Sequence, residues 1–515
     1  MKTLKCLLLS GLVAAMPACV NAQASSEDAT KPRVIITCDP ELDDNNSLIR
    51  FLLFSTDYRV EGLIYASSQF HWKGDGQGTK WWVPGREYSR GDGLELPPME
   101  SWRWAPDERF IDDVVEAYAK VYDNLKVHDA TYPTPEYLKS KVRVGNVEFD
   151  GDFSKDTPGS ELIKQVILDD EPGPVFIEAW GGASTIARAL KSIEDIYSKG
   201  EGWEIMKEKI SQKVILSLSG DQDDTYARYI HPFWPDIKSM EMGGITVGLA
   251  YGAQLRAKDE NKVFYSPEWM RENIRSKGPL GELYRVWGDG KQMVKGDRTD
   301  YFGLTSGKTV EQLKAEGYHV WFPNLQPDGA FLAEGDTYCF LNLIGNGLRA
   351  HEDPTYGGWC GGRITLPDEV KAKDRMAQTA YIEEHYPLPD FTAPIMNGLA
   401  ARFAWSVQSD YEAANHYPVI DGALAMSGKP GETLKLKYKV SDPDKKDEVT
   451  VKWWRYGSAC TYQGEVNVAD PASANTTFTI PADAKAGDTI HLILEATDNG
   501  TPQLNRYHRL IVTVR

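Results

Sequence analysis

The sequence predicts an α/β fold with a mostly parallel sheet, helices on both faces, and a β-sandwich at the C-terminus. Three observations carry this reading. Short apolar runs of strand length recur, each followed by a turn and then by apolar residues at helical spacing. That alternation of strand and helix argues for a parallel sheet covered on both sides. From residue 418 onward the pattern changes to short segments of apolar and polar alternation between turn residues, which describes a sandwich of about 100 residues.

The first strand is Val34 to Thr37, and Leu48, Ile49, Leu52 and Leu53 beyond it recur at helical spacing. Between them the chain places three aspartates, Asp39, Asp43 and Asp44. In an open α/β sheet such a loop lies at the carboxyl end of a strand, where ligands collect. Acids brought that close repel one another unless a cation or a shared proton relieves them. All-oxygen ligands suit calcium or magnesium, and soft ligands for zinc are missing. Plain turn and N-cap chemistry, with Asp44 or Asn45 as the cap, is the competing reading. Position directly after a buried strand favours the ligand site.

The following elements continue the alternation. Val60 to Ala66 reads as a second strand that leads into Ser67-Ser68-Gln69-Phe70-His71-Trp72, and Ile111 to Tyr122 and Ser160 to Leu168 have helical periodicity. Pro174 to Leu190 is again strand, glycine turn and helix, and Val214 to Leu218 is a short buried strand. It is followed by a second acidic loop, Ser219 to Asp224, on the same face as the first, so Asp221, Gln222 and Asp223 are candidate substrate contacts against a solvated-turn alternative. Residues 268 to 329 are irregular and rich in Gly, Lys and aromatics, as expected of an insertion that borders the pocket. Ala333-Glu334-Gly335-Asp336-Thr337 stands before the apolar stretch Tyr338 to Ile344. In the C-terminal part, Leu434 to Val440, Val449 to Trp454, Asn475 to Ile480, Ile490 to Ala496 and Arg509 to Val514 alternate as strands. These patterns place one domain at 33–410 and the sandwich at 418–515.

Asp-Pro-x-x-Asp-Asp after a short apolar strand resembles the N-terminal signature of the nucleoside hydrolases. The resemblance implies a calcium site and a sugar site on one loop. Carried over, Asp39 is a calcium ligand and the base that activates water, Asp43 a sugar-hydroxyl ligand, and Asp44 a second calcium ligand. The signature's first Asp is Thr37 here. Glu-Ala-Trp-Gly-Gly with the helix after it is similar to the family's Gly-Pro-Leu-Thr-Asn element, which implies that the Trp180 main-chain carbonyl faces the metal. Asp336 is then the last protein ligand. Where the family shows His-Asp, with the His suspected of protonating the leaving group, this chain has Glu334-Gly335, and Glu334 is a candidate substrate contact. The second-strand loop of the family carries a sugar-binding Asn; Gln69 is its nearest equivalent, with His71 next.

A closer match spans nearly the whole chain. Cys-Asp-Pro-Glu-Leu-Asp-Asp-Asn-Asn-Ser, Glu-Ala-Trp-Gly-Gly, Ser-Gly-Asp-Gln-Asp-Asp, Glu-Gly-Asp-Thr and Tyr-Gly-Gly-Trp-Cys-Gly-Gly-Arg together are similar to secreted bacterial nucleoside-hydrolase-like proteins. Those are often labelled cellulose-binding and carry an immunoglobulin-like domain at the C-terminus. The resemblance implies the fold.

Composition agrees with a soluble globular protein of more than one domain: 515 residues, 41% hydrophobic, 26% charged. A net charge of −18 repels nucleic acid and anionic membrane surfaces and is compatible with neutral sugars. Lys2 and Lys5, the apolar run Leu7 to Met16, and Val20-Asn21-Ala22 have the layout of a signal peptide, residues 1–22, cut after Ala22. The expected location is periplasmic or secreted; Pro17 makes lipidation at Cys19 the poorer alternative. No later stretch is long and apolar enough to insert into a membrane, and a homo-oligomer is compatible with the sequence. Cys38, Cys339, Cys360 and Cys460 form neither a disulfide scaffold nor a metal motif, and Cys38 reads as a packing residue rather than a nucleophile.

Tryptophans carry the clue to ligand type. Trp72, Trp81, Trp82, Trp102, Trp104, Trp180, Trp234 and Trp359 fall mostly in glycine- and polar-rich loops, where flat faces suit sugar rings or bases; Trp72, next to His71, is a candidate contact. The expectation is a calcium-dependent hydrolase acting on a glycosyl bond of a glycan or oligosaccharide, with water activated by Asp39 and inversion at the anomeric carbon. A ribonucleoside hydrolase and a non-catalytic carbohydrate-binding protein are the alternatives.

Overall fold

The computed structural model describes residues 31–89, 96–240, 248–362, 366–371, 373, 375–385 and 388–515. The expected signal peptide lies outside them. β1 (Arg33–Cys38) is buried along its whole length and runs through Asp39 to Glu41 into α1 (Leu42–Leu53), in which Leu48, Ile49, Leu52 and Leu53 are all buried. Then come β2 (Arg59–Tyr65), α2 (Phe110–His128), α3 (Pro135–Lys141), β3 (Val142–Val144), α4 (Pro158–Leu168), β4 (Val175–Ala179), α5 (Ser184–Tyr197), α6 (Trp203–Lys213), β5 (Val214–Leu218) and β6 (Lys238–Ser239).

These strands form one six-stranded sheet in the order β3-β2-β1-β4-β5-β6, with every neighbouring pair parallel. The two-residue alternation of a strand sorts its side chains onto two faces. Val34, Ile36, Cys38 and Phe176 pack with α1 and α2 on one side; Ile35, Val175, Ile177 and Ala179 pack with α4 and α5 on the other. Each such side chain contributes about 1.5–3 kcal/mol through burial. The chain order reverses between β1 and β4, so the crevice at their carboxyl ends is the topological switch point where ligands settle in open sheets. Asp39 follows β1 there, and Trp180 follows β4.

The C-terminal strands are β7 (Val419–Asp421), β8 (Ala425–Gly428), β9 (Thr433–Lys437), β10 (Lys439–Ser441), β11 (Thr450–Arg455), β12 (Asn475–Thr479), β13 (Thr489–Thr497) and β14 (Asn505–Val514). They pair as β11-β13-β14-β8, β12-β9 and β10-β7 around a core of Leu436, Trp453, Phe478, Ile490, Leu492, Leu510 and Val512. The single strand expected over Leu434 to Val440 is two strands in different sheets. The break is at Tyr438, which is buried and donates its hydroxyl to the Ala423 carbonyl at 2.7 Å, turning the chain from one sheet to the other.

The sandwich packs against the α/β body rather than hanging from it. Arg509, fully buried, donates to the carbonyls of Leu348 at 2.5 Å and Gly357 at 2.8 Å. Tyr456 donates to the Gly358 carbonyl at 2.9 Å. The glycine-rich stretch 356–362 is therefore a docking surface for the sandwich, its exposed carbonyls taken up by side chains from β11 to β14.

Candidate functional site

The acidic loop leaves β1 at the switch point and ends in α1. Asp39 is fully buried, and its Oδ2 accepts hydrogen bonds from the Ser68 hydroxyl and faces His71 Nδ1 at 3.1 Å. Its Oδ1 has no partner. Asp44 Oδ1 accepts from the Asp39 backbone N–H at 3.1 Å, tying loop to helix. The turn after β4 comes close from the other side. A Cβ on Gly181 would sit 3.1 Å from Asp39 Oδ1, so only glycine leaves that carboxylate its space. On the third side, a Cβ on Gly335 would collide with Asp43 Oδ2, and Asp336 beside it is buried with its Oδ2 unpartnered.

The electrostatics of this centre are those of acids packed together without relief. Burial, and then Asp336, push the Asp43 carboxyl well above its ordinary range. Burial followed by Asp336 and Asp39 does the same to Asp44, and burial with Glu41 and Asp39 to Asp336, against an opposing hydrogen bond from Ser219. Asp44 and Asp336 are near enough to act on each other electrostatically, and two carboxylates that close need a proton or a cation to relieve them. Two orphaned buried oxygens in an all-oxygen donor set fit a hard dication. Candidate ligand atoms of Glu41, Asp43 and Asp44, and separately of Asp39, Glu41 and His71, lie within 4.8 Å of one another.

Beside this centre opens a cavity of about 360 Å³. Its floor is Pro40, Glu41, Leu42 and His71, with Phe70 alongside. Glu87 and Arg103 come from the long loop between β2 and α2, and Met293, Asp297, Phe302, His319 and Trp321 come from the irregular insertion, which borders the pocket as its composition led us to expect. Asp39, Asp44 and Asp336 are buried and do not line the cavity.

Of the residues singled out from sequence, Asp39, Asp43, Asp44, Asp336 and His71 come together here. Trp180 is also present: its main-chain carbonyl accepts from Gln222 Nε2 at 2.7 Å while its indole is buried. Gln222 thus touches the carbonyl expected to face the metal and does not line the cavity. Other expectations are corrected. Glu334 is fully buried and forms a two-pronged ion pair with Arg50, so its charge is spent on the core. Asp223 is buried with Oδ2 on the Ser184 N–H at 3.0 Å, where it holds the start of α5. Asp221 is occupied by the Tyr226 and Ala227 N–H groups, as the turn alternative required. Gln69 does not line the cavity. Trp72 has no exposed surface and packs on Tyr88 and Phe149; Trp180, Trp234 and Trp359 are equally buried. Trp72 builds a small core of its own with Tyr88 and Phe149, and Trp180, Trp234 and Trp359 join the two large cores, which loop composition alone could not distinguish from sugar platforms.

Sequence reasoning missed Glu41, Arg103, Tyr251, Asp297, His319 and Trp321, all cavity-lining. Glu41 stood in plain view inside the acidic signature; the rest lie far apart in sequence and are joined only by folding.

Two family descriptions match this chain: "Cellulose-binding Sde182, nucleoside hydrolase-like domain" over residues 33–363, and "Cellulose-binding protein Sde0182, C-terminal domain" over residues 433–514. No curated protein matches it. Among solved structures, it is similar to a nucleoside hydrolase-related hypothetical protein from Saccharophagus degradans, described as associated with carbohydrate metabolism. The TM-score is 0.65 at 24% identity, over 94% of this chain and 100% of that one. At that identity the likeness is one of fold.

Proposed function

We propose a function from one premise: the chain belongs to the cellulose-binding Sde182 family with its nucleoside hydrolase-like domain. The protein is an exported, calcium-dependent hydrolase that cleaves a glycosyl bond of a glycan or oligosaccharide. The observation that carries this is Asp39, placed at the switch point with Oδ2 committed to Ser68 and His71 and Oδ1 uncommitted. A carboxylate fixed by one oxygen and free at the other is oriented to take a proton.

Asp39, Asp44, Asp336 and the Trp180 carbonyl would hold the calcium ion, which when bound neutralises the crowded acids and makes water more acidic. Asp39 Oδ1 receives the proton of the attacking water. Ser68 and His71 keep that carboxylate from rotating. The sugar enters from the cavity across Glu41 and His71, and its anomeric carbon passes through an oxocarbenium-like state. His319, which lines the cavity from the insertion, would give the departing oxygen its proton, since Glu334 is locked to Arg50.

The full burial of Asp39, which does not line the cavity, favours a second reading, a carbohydrate-binding protein without turnover. Reducing-sugar release from a panel of plant and bacterial glycans and nucleosides, with calcium or with EDTA, separates the two. Calcium-dependent release that Asp39→Asn abolishes supports the hydrolase; calorimetric binding without release by the wild type supports the binder.

A further inference from the structure

We infer that Arg103, together with Glu87, reads neighbouring hydroxyls of an uncharged sugar in this cavity and that the same wall turns acidic sugars away. The inference rests on the carbohydrate reading of the site and names its substrate class. Arg103 is one of three non-glycine residues among those described that adopt a positive φ, at 47°. A side-chain-bearing residue is held in that region only when its surroundings over-determine it, and such residues gather at ligand sites. The surroundings here are explicit. Trp102, the preceding residue, exchanges backbone hydrogen bonds with Trp72 at 2.9 Å each way, and its indole N–H points to Glu87 at 3.4 Å. The guanidinium reaches the insertion, where Nε donates to Asp297 Oδ2 at 2.7 Å, and its Nη1 donates to Glu87 Oε2 at 3.3 Å.

Two carboxylates therefore fix the plane of the guanidinium and neutralise it. Nη2 donates no hydrogen bond to the described residues and Glu87 Oε1 accepts none from them, while both side chains line the cavity. A donor and an acceptor held on one rigid fork suit a pair of adjacent hydroxyls, one accepting from Nη2 and the other donating to Oε1. The insertion offers the apolar half of such a site. Trp321 is 44% exposed yet immobilised, edge-on to Tyr251 at 5.1 Å and Phe302 at 5.3 Å, with its N–H toward the Thr299 carbonyl at 3.3 Å. A large ring left open to solvent in a fixed pose is suited to the C–H face of a sugar ring.

Charge excludes the acidic alternatives. Arg103 is the only Arg or Lys among the lining residues, against the carboxyl groups of Glu41, Glu87, Asp297 and Asp300, of which Asp300 also has Arg285 at 3.9 Å. A guanidinium already shared by two acids has little attraction left for a third, and a uronate or phosphorylated sugar meets net like charge.

Titration calorimetry of the full chain in calcium, with cellohexaose and hexagalacturonate as probes, tests this. The neutral hexasaccharide binds, and the acidic one binds at least about tenfold more weakly at low salt, with a gap that narrows as salt screens the wall. Arg103→Lys, which keeps the charge and loses the fork, and Trp321→Ala, a change at an exposed ring that leaves the fold standing, each weaken cellohexaose by about tenfold. A wild type that binds cellohexaose but never releases sugar from it refutes the hydrolase and leaves this inference intact. Hexagalacturonate binding as tightly as cellohexaose, unchanged affinity in both variants, or no cellohexaose binding by the folded wild type overturns it.

Discussion

Glu334 offers the sharpest test of the structure against the sequence, because its motif assigns it to substrate and its surroundings assign it to the core. The Arg50 guanidinium from α1 meets its carboxylate at 2.5 Å through Nε and at 3.2 Å through Nη2, and neither side chain has any exposed surface. Tyr284 and Thr337 donate their hydroxyls to the same carboxylate, and Arg50 Nη1 is anchored to the Ile395 carbonyl at 3.0 Å. Glu334→Gln keeps the shape and removes the charge, leaving a guanidinium buried without its counter-ion. Breaking such a pair from one side costs about 3–5 kcal/mol, whereas replacing both partners by apolar side chains of similar volume costs far less. Urea unfolding measures this as a fall in midpoint at constant slope. The double variant Arg50→Met/Glu334→Leu recovers most of the loss, and the cycle gives the coupling directly. Glu334→Gln unfolding within about 0.5 kcal/mol of the wild type while losing sugar affinity would refute the structural assignment and return Glu334 to the ligand.

Three further outcomes follow from particular contacts. Burial and the neighbouring Arg509 hold the His491 imidazole down at about 3, so above about pH 6.5 folded and unfolded chains agree and below it only the unfolded chain takes the proton. The stability is thus present at neutral pH and lost on acidification: about 2 kcal/mol between pH 6.5 and pH 5 from this group, seen as a steeper pH slope for the wild type than for His491→Gln in parallel thermal scans. His319→Ala lowers kcat on natural glycosides by about a hundredfold or more but spares a nitrophenyl glycoside, whose leaving group needs no proton; equal losses on both would remove His319 from that role. Gly181→Ala pushes a methyl against the Asp39 carboxylate and lowers calcium affinity, read by calorimetry, with little change in the circular dichroism spectrum.

The α/β half was legible because its signal is local. Apolar runs such as Val34 to Thr37 and Val214 to Leu218 are buried strands, and the strand order that joins β1 to β4 puts both expected loops at one crevice. The metal-type acids were legible for the same reason, since one loop carries three of them. The cavity was not. Arg103 and Asp297 are 194 residues apart and meet through a single ion pair, and nothing near either residue announces the other. The acids at 221 and 223 misled because a carboxylate that caps backbone N–H groups has the same sequence appearance as one that binds a ligand. The sandwich strand over Leu434 to Val440 misled because alternation persists across a point where the chain changes sheets.

How this protein treats its other buried acids makes the centre at Asp39 exceptional. Glu334 is met by Arg50, Asp150 by Arg86, Asp289 by Arg285, Asp297 by Arg103 and Glu61 by Arg33, Arg59 and Lys141. Asp39, Asp43, Asp44 and Asp336 have no Arg or Lys ion-pair partner among the described residues, although they are packed against one another. A chain that meets its other buried acids singly, with a cation or with N–H donors as the Ser184 N–H meets Asp223 and the Trp180 indole meets Glu178, and here packs four acids together without one leaves room for a cation from outside. The consequence is a change of sign. In EDTA, Asp336→Asn removes one of the repelling charges and raises the unfolding midpoint; in calcium it removes a ligand and lowers the midpoint, because binding to the folded state contributes about 2.7 kcal/mol at a hundredfold excess over the dissociation constant. Two urea titrations of each protein decide it. Crossing of the wild-type and variant stabilities between the two conditions identifies a cation centre, and a variant that is less stable in both identifies four acids held by protons and packing alone.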